Sequence, residues 1–214
     1  MSLATTKRGG AEIAPPDPWD PLVRITHWVI AGAVLWNGLI SKPGGTVHVW
    51  IGWIALVVLA LRILWGFVGP REARFASFLP DPRRAVAHVL SLLRGRVREH
   101  PSHNPAGAIM VYALWLSLAL VIATGLQMTE WKNPVTITEE KAAVAAGDWS
   151  VLVNNATEGD AHSEDMSLSR LIKEVHELAA NLMLVLAVVH VAGVAVESMA
   201  LKRNLVRPMI RGRS

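Results

Sequence analysis

The chain has 214 residues, 52% of them hydrophobic and 18% charged, which is richer in apolar groups and poorer in charge than a soluble domain. That balance reads as an integral membrane protein. It contains no cysteine, so disulfides, iron–sulfur clusters, thiolate zinc sites and thioether-linked cofactors are excluded together.

Residues 1–18 hold Lys7, Arg8, paired glycines and three prolines, a composition that reads as a flexible cytoplasmic tail. No apolar core precedes a small-residue cleavage site there, so the first apolar span is expected to stay as a signal anchor. That span, WDPLVRITHWVIAGAVLWNGLI from Trp19 to Ile40, is predicted as transmembrane helix one. Arg24 and His27 lie near its entry, and Trp19, Trp28 and Trp36 sit towards its two interfaces. SKPGGT then reverses the chain, and helix two is predicted from about Val47 to Val68, with His48 in its first turn and Arg62 fourteen residues on.

Residues 71–103 alternate basic and apolar groups. Within them DPRRAVAHVLSLLRGR is expected to form an amphipathic helix on the membrane surface, with His88, His100 and His103 as surface residues. Helix three is predicted over about Ala106–Met128, where Gly107 and Gly125 favour close helix approach. Residues 129–169 read as a long polar, acidic extracytoplasmic loop, and helix four is expected from about Leu171 to Met199, before the basic end KRNLVRPMIRGR. The fold class is thus all-α, a four-helix membrane bundle formed by residues 19–213.

Orientation follows from charge. Sixteen of the 21 Lys and Arg fall in the N-terminal tail, the helix two–three connection and the C-terminal end, and five on the other side. Seven of the 17 Asp and Glu share the first side and ten the second, leaving a net +9 against −5. Both termini are therefore expected in the cytoplasm, facing anionic lipid and not nucleic acid.

Helix four carries two histidines, His176 and His190, inside an apolar run. Fourteen residues are about 21 Å of rise and about 40° short of four full turns, so both imidazoles share one face at two depths. An imidazole in hydrocarbon is costly unless partnered. Given the predicted topology, His27 lies at the depth of His190, and His48 at the depth of His176. Two imidazoles facing each other across a helix gap suit bis-histidine ligation of haem iron, and two such haems would form a relay across the bilayer about 20 Å long. Propionates need cations, and Arg62 and Arg24 lie at the inner depth and Lys173 at the outer. Each position also has a plainer reading: a hydrogen-bonded structural histidine for His48, a snorkelling cation for Arg62, interfacial anchors for the tryptophans.

The elements WDPLVRITHW, VHVWIGWIALVVLALRILWGFVGPREARF, HNPAG and VHELAANLMLVLAVVHVAGVAVESMALKRNLVRPMIRGR resemble the bacterial cytochrome b561 family, which includes cytochrome b subunits of nickel–iron hydrogenases. The resemblance spans Trp19 to Arg213 apart from the 129–169 loop. It implies a four-helix inner-membrane protein with two non-covalent b haems, ligated from helices one, two and four, and the matching residues are His27, His48, His176 and His190. It also implies electron exchange between the quinone pool and an extracytoplasmic redox protein, such as a c-type cytochrome or a dehydrogenase, in a respiratory chain, and it is compatible with a homodimer. Alternatives are a superoxide-oxidising, quinone-reducing enzyme, a membrane-anchor subunit of a hydrogenase-like dehydrogenase, and a histidine-lined metal-ion transporter without haem. The acidic outer face disfavours the anion superoxide.

Overall fold

A computed structural model describes residues 20–95, 104–150 and 162–211. Within these it is all-helical: α1 Pro21–Leu39, α2 Thr46–Val68, two 3-10 turns at Arg71–Ala73 and Phe75–Ser77, α3 Pro82–Leu93, α4 Pro105–Met128, α5 Pro134–Ala145, α6 His162–Ala200 and α7 Arg207–Arg211. Four of these helices, α1, α2, α4 and α6, are long and apolar enough to cross a membrane.

Four helices begin with the same device. An Asx residue caps and a proline follows at the first helical position, where the missing N–H costs nothing. Asp20 Oδ1 accepts from the N–H groups of Leu22 at 2.8 Å and Val23 at 3.3 Å. Asp81 accepts from Arg83 and Arg84 at 3.0 and 3.1 Å. Asn104 accepts from Gly107 at 2.6 Å, and Asn133 from Thr136 at 2.9 Å. The α1–α2 reversal runs through Gly44 at φ 66°, a left-handed conformation that glycine adopts cheaply.

The most extensive helix contact is between α4 and α6, followed by α1 with α2 and α3 with α4. Leu59 of α2, Leu118 of α4 and Met183 of α6 form the buried core cluster, with Ile30, Val34, Leu114 and Trp115 packed on it. Met183 stands seven residues from both His176 and His190, so an apolar layer lies between the two histidine depths. The outward surface is apolar in turn, with Leu116 74% and Val188 71% exposed. Such a surface is suited to lipid.

At one end of the bundle Phe67, Phe75, Phe78, Tyr112 and Trp115 form a chain of edge and tilted ring contacts joining α2, the 3-10 turns and α4. Gly66 makes this possible, because a Cβ there would stand 2.4 Å from the Phe75 ring. Gly66→Ala is expected to push that ring out of its cluster and cost about 1–3 kcal/mol, as overpacking does. Thermal loss of near-UV circular dichroism, compared with wild type, measures it.

Three expectations need correction. The stretch read as a loop over 129–169 carries α5, and α6 begins at His162, nine residues before the expected Leu171. A cap and proline at Asn133–Pro134 start α5, and it is fastened by Lys132 Nζ to Glu140 at 3.0 Å, Trp50 Nε1 to Thr138 Oγ1 at 3.3 Å and Lys141 to the Gly44 carbonyl. The hydrogen bond to Glu140 holds the Lys132 ammonium above its usual lysine range. His88 is not a surface residue: it and Ala85 are buried, while Val86, Val89 and Leu90 of the same helix are exposed. Gly107 serves the Asn104 cap and not a helix crossing, whereas Gly125 does allow close approach, of the α6 residue His176 to α4. The expected tail 1–18, Trp19, His100 and His103 lie outside the described residues.

Candidate functional site

Four half-buried histidines from three helices meet as two pairs. The ring centres of His27 on α1 and His190 on α6 are 6.2 Å apart, with the rings inclined at 59°. Those of His48 on α2 and His176 on α6 are also 6.2 Å apart, inclined at 64°. The residues brought together are the ones paired by depth from the sequence. Among the described residues no group of three or more His, Cys, Asp or Glu gathers as a metal-ion site. The histidines come in twos.

Hydroxyl groups orient the second pair. Thr124 Oγ1 lies 2.9 Å from His176 Nδ1 and donates its own proton to the Leu120 carbonyl at 2.7 Å, so it is left to accept from Nδ1–H. Ser41 Oγ lies 3.2 Å from His48 Nδ1 and donates to Asn37 Oδ1 at 3.0 Å, with the same consequence. Both imidazoles then present a bare Nε2, the arrangement by which a second partner fixes the tautomer of a metal-binding histidine. Gly125 contributes by omission, since a Cβ there would lie 3.3 Å from His176 Cε1. Thr124 and Ser41 were not singled out from sequence; a turn hydroxyl seven residues before His48 and a helix hydroxyl 52 residues before His176 share no spacing that would reveal them.

The three candidate cations are placed differently. Arg62 is 6% exposed, its guanidinium carbon lies 4.9 Å from the centre of the Trp115 ring, and its Nη1 has no hydrogen-bond partner among the described residues. Trp65 Nε1, one turn further along α2, is buried and equally without a partner among them. Arg24 gives Nη2 to the Ile210 carbonyl at 2.8 Å, and Trp28 Nε1 donates to the Met209 carbonyl at 3.0 Å, so α7 folds back against the start of α1. Lys173 is exposed and lies 3.8 Å from Glu177 one turn on.

The sequence profile of the prokaryotic cytochrome b561 family matches residues 18–212, nearly the whole chain. The chain belongs to that family. It is therefore a multi-pass membrane b-type cytochrome, a haem-b protein of transmembrane electron transfer. No curated protein and no solved structure matches it. Among the described residues the four paired histidines face one another in twos between the helices, where an imidazole nitrogen from each side could meet a metal. Two more residues, missed from sequence, close one end of it: His88 of α3 has Nε2 3.8 Å from Glu197 Oε1 of α6.

Proposed function

We propose that this cytochrome holds two non-covalent b haems, one between His27 and His190 and one between His48 and His176. It then moves electrons across the bacterial inner membrane between the quinone pool and an extracytoplasmic redox protein. The observation that carries the reading is the common 6.2 Å separation of the ring centres in both pairs. A metal–imidazole bond of about 2.0–2.1 Å on each side, plus the half-width of each ring, gives roughly 6 Å between ring centres. Haem held by these paired histidines would supply one-electron iron chemistry.

The chain's own residues do the rest. Ser41 and Thr124 hold the outer imidazoles with Nε2 available, and the buried Nη1 of Arg62 offers an unspent donor for a propionate of the inner haem. Arg24 and Lys173 are weaker candidates for the same role, since one is engaged by α7 and the other by Glu177. The Leu59, Leu118 and Met183 layer keeps water from the space between the pairs. The excess of Lys and Arg at the ends of α2, α3 and α6 supports cytoplasmic termini, and the acidic opposite side favours a cationic partner such as a c-type cytochrome.

A pyridine haemochrome assay on the purified protein is expected to give about two haems per chain. One or none would end the relay.

A further inference from the structure

Beyond α6 the chain turns back and lays α7 against the entry end of α1. The two hydrogen bonds that hold it there, from Arg24 and Trp28, take the main-chain carbonyls of Ile210 and Met209 and use no side chain of α7. The connecting turn is pinned as well. Ser198 Oγ accepts from the Leu205 N–H at 3.3 Å, and Asn204 Oδ1 accepts from the N–H groups of Val206 and Arg207 at 2.9 and 3.0 Å.

This turn and α7 enclose a cleft of about 500 Å³, lined by Asn204, Val206, Arg207, Ile210 and Arg211. Arg207 and Arg211 are four residues apart, and so are Val206 and Ile210, so a basic row runs beside an apolar one along the same short helix. All four side chains are exposed. Neither arginine forms an ion pair with an acidic side chain among the described residues. Arg24, bonded to the Ile210 carbonyl, brings a third guanidinium to the cleft, and its Nε is buried without an acceptor among the described residues. Lys202 and Arg203 precede the cleft, and no Asp or Glu occurs from Met199 to Arg211. The positive charge gathered here has no counter-charge from its own segment.

We propose that this cleft is a binding site for one anionic phospholipid, its phosphodiester held by Arg207 and Arg211 and its acyl chains starting along Val206 and Ile210. Guanidinium groups offer a planar fork that matches phosphate oxygens. The position suits a headgroup, since Arg24 and Trp28 belong to the entry end of a helix long and apolar enough to span the membrane. A soluble phosphate could use the arginines but would gain nothing from the exposed Val206 and Ile210, whereas a lipid covers both. General attraction between a basic surface and acidic lipid makes no distinction among exposed arginines. A built site does.

The test uses the purified full-length protein in detergent, titrated with phosphatidylglycerol, phosphatidylcholine or glycerol 3-phosphate, with bound molecules counted by native mass spectrometry. Wild type is expected to retain one phosphatidylglycerol per chain and neither of the other two. Arg207→Gln with Arg211→Gln should weaken that binding by about 30-fold, two charges at roughly fivefold each. Arg207→Lys with Arg211→Lys should keep part of it, because the charge stays and the fork is lost. Arg83→Gln with Arg84→Gln removes two exposed arginines of α3 and should leave it unchanged. Unaltered binding in the Arg207 and Arg211 glutamine variant would overturn the proposal. An equal loss in the α3 variant would do so too, by showing a diffuse surface, as would glycerol 3-phosphate binding as tightly as the lipid. If the double glutamine variant could not be purified intact, Arg211→Gln, at the last residue of α7, should weaken binding about fivefold and is judged by the same outcomes.

Discussion

His190→Ala is expected to remove one haem and leave the other largely loaded, taking the content from about two per chain to about one. The two histidine pairs share no residue, and the buried Leu59, Leu118 and Met183 side chains separate them. A vacancy at His190 therefore perturbs the His48–His176 pair only through α6, whose Ala179 and Met183 stay clamped in the bundle. Redox titration should show one midpoint lost and the other retained. His27→Ala is expected to give the same spectrum, and the double variant to be no worse than either single one, because residues acting as a unit are strongly non-additive. Loss of both haems from a correctly inserted His190→Ala protein would mean that the two layers assemble together.

The site was more legible in the sequence than the fold around it, and the reason lies in lipid. A histidine inside an apolar run has no cheap structural role, so the fourteen-residue spacing of His176 and His190 announces two depths, and matching depths on α1 and α2 supplies the partners. Hydropathy found α1, α2 and α4 to within about two residues. It failed where a helix leaves the hydrocarbon. The first turns of α6 are polar and contain Asp165 and Glu164, yet the helix continues because backbone hydrogen bonds do not depend on which solvent surrounds them. In α5 the sequence TITEEKAAVA has no apolar stripe, and the signal that did exist, Asn133 before Pro134, was the one already visible at Asp81–Pro82. His88 was misread for a related reason. The apolar face of α3, with Val86, Val89 and Leu90, points outward, and the small and polar face with Ala85 and His88 is buried, His88 towards Glu197 of α6. A rule that sends apolar residues inward reverses in a bilayer.

Arg62→Leu is expected to lower the reduction potential of one haem and leave the other near its wild-type value. An arginine 6% exposed, in the span of α2, carries a charge that water does not screen well. Part of its cost is met by the Trp115 ring face, 4.9 Å from the guanidinium carbon. The ring cannot satisfy Nη1, which has no acceptor among the described residues, and Trp65 Nε1 one turn away lacks one too. Two such donors three residues apart on α2 would suit an anion with two oxygens, which a propionate would offer. Reduction adds one negative charge, so a fixed cation stabilises the reduced form over the oxidised. Removing it shifts the balance by about 1–2 kcal/mol at an effective dielectric of about 20, or roughly 40–90 mV for one electron. Arg62→Lys should keep much of the potential, since the charge remains, but weaken haem retention, because an ammonium cannot offer the planar fork. Spectroelectrochemical titration of the three proteins separates the cases. Two unchanged midpoints with full haem occupancy in Arg62→Leu would make Arg62 an anchor packed on Trp115, and the propionate would need another partner.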